Sequence, residues 1–252
     1  MDGWHFLRKD YRLQFPPYTL VAPGMRLDLP IESRRRSLRA SKKALDALLY
    51  ASGPIACRVR LSGKMIEDIN IVIAAECTYA TECTYLQMVD ATNVLHEFAC
   101  WCAENALTQE RASGREPDPL CWKAIEAKRA WLQGKMSNED LDAAKEAVQE
   151  ITKYVDLKAA CGINLEEIEA VVYEAASATV AAADRRMVQA IARRASGAAV
   201  WEAAKAAEIM TGGAPWDAAR CESGQTAWVT TKKKQNEKLE EMLFSLFSSV
   251  SK

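Results

Sequence analysis

Between Ala91 and Leu107 the apolar residues Val94, Leu95, Phe98, Ala99, Trp101, Cys102 and Ala106 recur every three or four positions, which places them on one buried face of a helix. Residues before this helix read as short strands, and residues after it read as more helix. The chain therefore changes character here.

Upstream, Trp4–Leu7 is a strand candidate, and Met25–Ile31 alternates apolar with polar until Pro30 interrupts it. Phe15-Pro16-Pro17-Tyr18 and Pro23-Gly24 carry turn chemistry. Glu32–Arg39 is a polar, arginine-heavy loop. Ser41 is placed to cap a helix over Lys42–Tyr50, with Leu45, Leu48 and Leu49 turned inward and Gly53-Pro54 beyond its end. Ile55–Leu61 gives the cleanest alternation: Ile55, Cys57, Val59 and Leu61 face one way, Ala56, Arg58 and Arg60 the other. Ser62-Gly63 reads as a turn, and the apolar run Ile69–Ala74 as a central strand.

Downstream, helical periodicity begins at Gln87 and pauses at a polar loop, Thr108–Pro117. Asp118 then caps a helix with proline at its first position, and Gly134 closes it. Ser137 with Asp140 opens the next helix, whose stripe Leu141, Ala144, Val148, Ile151 and Val155 resembles a bundle seam, with Gly162 as its end. Asn164 and Glu167 form another capping box before an alanine-rich stretch, with 21 alanines from Ala159 to Ala219. Breaks are expected at Gly197 and at Gly212-Gly213. Leu239, Met242, Leu243 and Leu246 define a terminal amphipathic helix. The fold class is thus α+β: a small mixed or antiparallel sheet domain over residues 1–85, then a larger all-α helical bundle over residues 86–252.

Composition narrows the setting. A hydrophobic content of 49% and a charged content of 27% suit a soluble globular chain of 252 residues. No apolar run approaches the ~20 residues that cross a bilayer. The start, MDGWHFLRKD, lacks a secretory core, so the eight cysteines are expected to be reduced thiols in a cytoplasm, without disulfides. The net charge of −1 conceals a split: Met1–Lys64 carries 13 Lys/Arg against 5 Asp/Glu. A basic head suits an anionic partner, or the acidic remainder of the chain itself.

The strongest surface feature is the cluster Arg34, Arg35, Arg36, Arg39, Lys42 and Lys43. Guanidinium forks match phosphate and carboxylate oxygens, so these six residues are the candidate partner-binding set; a plain solubilising loop has the same composition. His96 and Cys100 lie one helical turn apart, with Cys102 and Cys121 nearby, but no Cys-x-x-Cys pair exists and buried thiols are common, so no metal is assigned. Cys77 and Cys83 are read the same way. No nucleophile triad or phosphate loop can be assembled, which leaves no catalytic residues and no cofactor.

Two stretches, WHFLRKD at 4–10 and ASKKALDALLYASGPIACRVRLSGKMIED at 40–68, resemble the N-terminal domain of a family of phage- and prophage-encoded proteins with no agreed activity. DATNVLHEFACWCAENAL, CWKAIEAKRAWLQG and KKKQNEKLEEMLFSLF resemble the alanine-rich, immunity-protein-like helical part of such proteins. Where the family shows His-Ala-Ser, this chain has Arg39-Ala40-Ser41, a departure that favours binding over catalysis. The resemblance implies a phage accessory protein in the host cytoplasm that binds a host protein or nucleoprotein complex, with an anti-CRISPR or other anti-defence role favoured, and no membrane. Two alternatives stand beside it. One is direct nucleic-acid binding through the arginine-rich loop. The other is an enzyme similar to ADP-ribosyltransferases, holding NAD with His5, Ser41, Tyr50 and Glu76.

Overall fold

The computed structural model describes residues 1–33, 36–70, 75–114, 116–160, 169–184, 187–210 and 222–250. Helices and strands are both present, and the strands form an open antiparallel sheet. Contacts divide the chain into two compact units, Met1–Leu95 with Asn236–Lys252, and His96–Gln235. The sequence pattern suggested a single cut after residue 85; instead the first unit continues through a long strand and takes in the C-terminal segment.

In the first unit, β1 (Asp2–Leu7), β2 (Arg26–Asp28), β3 (Leu38–Ala40), β4 (Ile55–Asn70) and β5 (Ala75–Asp90) form the sheet, with α1 (Ala44–Leu49) between β3 and β4. The order is β1-β4-β5-β2, and β3 also pairs with β5, farther along the same edge. Trp4 and Ser41 add one backbone bridge, exchanging hydrogen bonds of 2.8 and 3.0 Å. The inward face of Ile55, Cys57, Val59 and Leu61 is fully buried, as its alternation predicts. It packs with Leu7, Leu38, Ala80, Cys83 and Tyr85, and the loop residues Leu13, Phe15 and Val21 also join this core.

Several local expectations are corrected. Ser62-Gly63 is no turn: β4 runs through it to Asn70, and the pairing shifts register between Ser62 and Met65. Gly63, at φ +73°, takes the left-handed conformation that such a bulge needs. The segment from Ala75 to Asp90, assigned no strand upstream of Gln87, is a strand of 16 residues, as long as β4. Leu38 and Arg39, read as part of the loop Glu32–Arg39, form a strand with Ala40 because β5 offers them an edge. Of the run Ile69–Ala74, Ile69 and Asn70 end β4, Ile69 in an exposed position (67%), and residues 71–74 lie outside the described residues.

Ser41 does not cap α1. Its backbone is engaged with Trp4, and the residue at the cap, Lys43, makes no side-chain cap bond. The free N–H groups are met from elsewhere in the unit: Ala44 N donates to Glu240 Oε1 (3.1 Å) and Leu45 N to Asn236 Oδ1 (3.0 Å). Both acceptors lie on the C-terminal half of α7 (Glu222–Val250). Leu239, Leu243 and Phe247 on that half are buried at four-residue spacing, each burial worth about 1.5–3 kcal/mol. Phe244 and Phe247 meet the Trp4 ring at 5.1 and 6.2 Å, and the Arg58 guanidinium covers the same indole at 4.5 Å.

The described elements of the second unit are helices joined by turns. It contains most of α2 (Thr92–Ala112), then α3 (Pro119–Leu132), α4 (Asn138–Ala160), α5 (Glu169–Ala183), α6 (Val188–Met210) and the start of α7. The α2 face predicted from periodicity is buried at Phe98, Ala99, Cys102 and Ala106, but the helix persists into the expected loop as far as Ala112. Asp118 caps α3 by accepting from Leu120 N (2.8 Å). Gly134, at φ +69°, closes it, with Lys135 N donating to Ala130 O. Ser137 Oγ accepts from Asp140 N (3.1 Å) to open α4, whose Leu141 and Val148 are fully buried. α3, α4 and α5 pack on one another, and α5 on α6. Alanines 178, 182, 192, 195 and 204 are inaccessible, which fits close packing of small side chains. Gly197 does not break α6, while Gly162, the Asn164–Glu167 box and Gly212-Gly213 fall outside the described residues. Ser196 and Gln235 tie α6 to α7 through bonds of 2.7 and 3.0 Å.

Candidate functional site

The pairing of β2 and β3 with one edge of β5 brings two loops together, and a surface cavity of about 320 Å³ opens between them. Its apolar wall is Phe15, the cis-linked Pro16-Pro17, Leu29 and Pro30, and Glu32 and Arg36 supply the charge. The volume falls at the lower end of ligand-sized clefts. The turn carrying Arg36 is fixed by two bonds to Ser33 O, from Arg36 N (3.0 Å) and Ser37 Oγ (2.6 Å). Among the described residues no acidic side chain pairs with the exposed Arg36 guanidinium.

The four described candidate binding residues, Arg36, Arg39, Lys42 and Lys43, do not converge. Arg34 and Arg35 lie outside the described residues. Arg39 points inward: its Nη2 donates to Tyr50 O (2.9 Å), and its guanidinium stands 5.3 Å from the Tyr50 ring centroid. That arginine holds β3 to the end of α1. Lys42 pairs with Glu67 at 3.3 Å in the open, and Lys43 is exposed beside it in sequence. Extended backbone separates Arg36 from Lys42, a span of up to ~20 Å. Among the described residues of the cluster no compact phosphate clamp forms. Other basic residues of the head are engaged as well: Arg8 with Asp10, Arg26 with Glu82 and Arg60 with Asp2. The Arg60 hydrogen bonds hold the Asp2 carboxyl below its usual range, and the Ser62 hydroxyl does the same for Glu82, helped by Arg26.

The NAD-holding alternative named His5, Ser41, Tyr50 and Glu76. By alternation along β1, His5 lies on the opposite face from Trp4, and Ser41 pairs with Trp4. The His5 ring meets Tyr85 edge-on at 6.1 Å and bonds the Arg39 backbone. Burial, with the Arg39 charge behind it, pushes its pKa down to about 3. The crevice it shares with Phe15, Arg39 and Tyr85 measures about 10 Å³, room for one water and no nucleotide. Ser41 Oγ sits at the Cys77 thiol, a weak partner, and the Glu76 side chain is exposed while its N–H donates to Asp46 Oδ2 (3.4 Å). His5, on one face and enclosed, and Glu76, exposed, are the two of the four that the fold sets apart.

In the second unit, His96 is buried edge-on against Trp131 (5.4 Å). Desolvation and then the Lys128 charge lower its pKa to about 3. Burial raises the Cys100 thiol to about 12 and Cys121 to about 11. No three His, Cys, Asp or Glu side chains converge as a metal site among the described residues. Sequence reasoning missed Lys128. It is inaccessible, its Nζ donates to Asp184 O (2.6 Å) and covers the Trp131 ring at 4.2 Å, while Lys145 approaches Asp184 Oδ2 at 3.4 Å. The signal was its position on the stripe Cys121, Ala124, Ile125, Lys128. A buried lysine held by a main-chain carbonyl and an indole fixes helices; nothing in the arrangement presents it to a substrate.

No protein-family model, curated protein or solved structure matches the chain.

Proposed function

We propose that the protein acts by binding and not by catalysis, as a phage accessory protein of the anti-defence kind, built from a sheet-bearing unit and a helical bundle. The Arg36 cavity takes an acidic segment of a host protein or nucleoprotein complex. The observation that carries this reading is a cavity in which the Arg36 guanidinium, in no ion pair among the described residues, and the Glu32 carboxylate stand beside an apolar wall of Phe15, three prolines and Leu29. Such a rim-and-floor arrangement accepts a side chain on the floor and a carboxylate or phosphate at the rim. Arg34 and Arg35 adjoin Arg36 in sequence; Lys42 and Lys43 serve a partner only if it is long enough to follow β3.

The test compares wild type with Arg36→Glu in capture of partners from the infected host, and in binding of the recovered partner by anisotropy or calorimetry. Reversal of the rim charge is expected to weaken binding roughly tenfold or more. Undiminished binding by Arg36→Glu removes the cavity from the interface. For the nucleic-acid reading, the expected salt dependence is shallow, because few phosphate contacts are on offer; a steep slope would favour that reading instead.

A further inference from the structure

β1 covers the outer edge of β4 only up to Leu61, where the Met1 amine and carbonyl meet the Leu61 backbone at 2.8 Å. From Ser62 to Ile69 the strand pairs with β5 on one side, and no described strand pairs with its other side. This free edge carries Met65, Ile66 and Ile69 at 47%, 44% and 67% exposure. Open strand edges are usually blunted by charge, and Lys64, Glu67 and Asp68 serve that end against a random strand. Against an antiparallel copy of itself, however, the order of these charges is complementary.

A twofold axis normal to the sheet must pass through one residue of the strand, so few registers are available. Centred on Glu67, the two glutamates would face each other. Centred on Met65, Lys64 would face Ile66. Centred on Ile66, Lys64 of each copy opposes Asp68 of the other, and the two isoleucines meet at the axis. The backbone admits this choice: past the bulge at Gly63 and Lys64, Met65 and Glu67 face Ala80 and Thr78 of β5, because Thr81 O is turned away to accept from Leu29 N, so Ile66 and Asp68 direct their groups outward and the two Ile66 residues can exchange hydrogen bonds at the axis. We infer that a second copy of this chain is the occupant of the edge, joined through Lys64–Ile69 in the register centred on Ile66, so that one sheet continues across two copies.

Sedimentation or light scattering of the full chain tests this. Wild type is expected to dimerise, and Lys64→Asp and Asp68→Lys are each expected to weaken the dimer about tenfold or more by setting like charges opposite. The two variants mixed in equal amounts should recover a heterodimer, and the double variant Lys64→Asp/Asp68→Lys a homodimer, with circular dichroism confirming the fold of each. A wild type that stays monomeric at its highest soluble concentration overturns the inference. So does a dimer indifferent to both substitutions, or a pair of variants that do not recombine.

Discussion

Replacing Glu240 by Ala removes one carboxylate oxygen that serves two donors, Ala44 N and the Trp4 indole Nε1, each at 3.1 Å. The first loss is that of a helix cap, about 0.5–2 kcal/mol. The second leaves an indole N–H without its partner on a side chain that is 1% exposed, at about 1–3 kcal/mol for a buried orphan. Together they give roughly 2–4 kcal/mol, which for a unit of this size lowers its melting temperature by on the order of 10 °C or more. Thermal unfolding measures the sum, and amide exchange at Ala44 and Leu45 locates it. Glu240→Gln keeps an acceptor oxygen and should lose less than half as much. Ser41→Ala is the decisive contrast, since Ser41 occupies the cap expected from sequence but makes no cap bond. It should leave exchange at Ala44 unchanged. If Glu240→Ala costs under about 0.5 kcal/mol, the level of an ordinary surface change, or if Ser41→Ala speeds exchange at Ala44, the capping assignment fails.

Both histidines have pKa values of about 3 in the fold against 6.5 for an open chain, so unfolding takes up protons between those limits. Their contribution is therefore whole above about pH 6.5 and is lost as pH falls toward about 3; urea midpoints between roughly pH 6.5 and 5, where carboxylates contribute little, should flatten in His5→Gln and His96→Gln, and an unchanged slope refutes the burial of that ring. Asp118→Ala deletes the acceptor of Leu120 N and should destabilise the helical unit by about 1 kcal/mol in denaturant titration, with Asp118→Asn nearly neutral.

The parts legible in sequence were those whose cause is local. The alternation of Ile55–Leu61 marks a strand because one of its faces is buried whole, and Asp118-Pro119 marks a helix start because the cap is made within three residues. β5 was not legible. Its two edges are taken up by three different strands, and its sequence, AECTYATECTYLQMVD, lacks a simple period because bulges shift its register against β4. β3 is too short to declare itself inside an arginine-rich run. The cap of α1 comes from nearly two hundred residues away, beyond the reach of any local rule. The candidate cavity had the same fate: its walls are loops, brought together by strand pairings that the sequence did not reveal.

The charge argument shows most clearly how sequence adjacency and spatial neighbourhood diverge. The excess of 13 Lys/Arg over 5 Asp/Glu belongs to a stretch cut at Lys64, and the fold makes no such cut. Residues 65–95 and 236–252 complete the same compact unit and add 2 basic and 8 acidic residues, giving 15 against 13. An excess this small produces no steering field of the kind that draws polyanions over a Debye length. Arg26 and Lys42 find their acids on β5 and β4, respectively, and Arg60 finds Asp2 on β1. On the proposed reading, recognition by this unit rests on single positions and on shape, at a cavity where Arg36 and Glu32 stand among proline, phenylalanine and leucine. A partner chosen in this way should bind with a short range, a modest dependence on salt, and a strong dependence on the side chain that fills the floor.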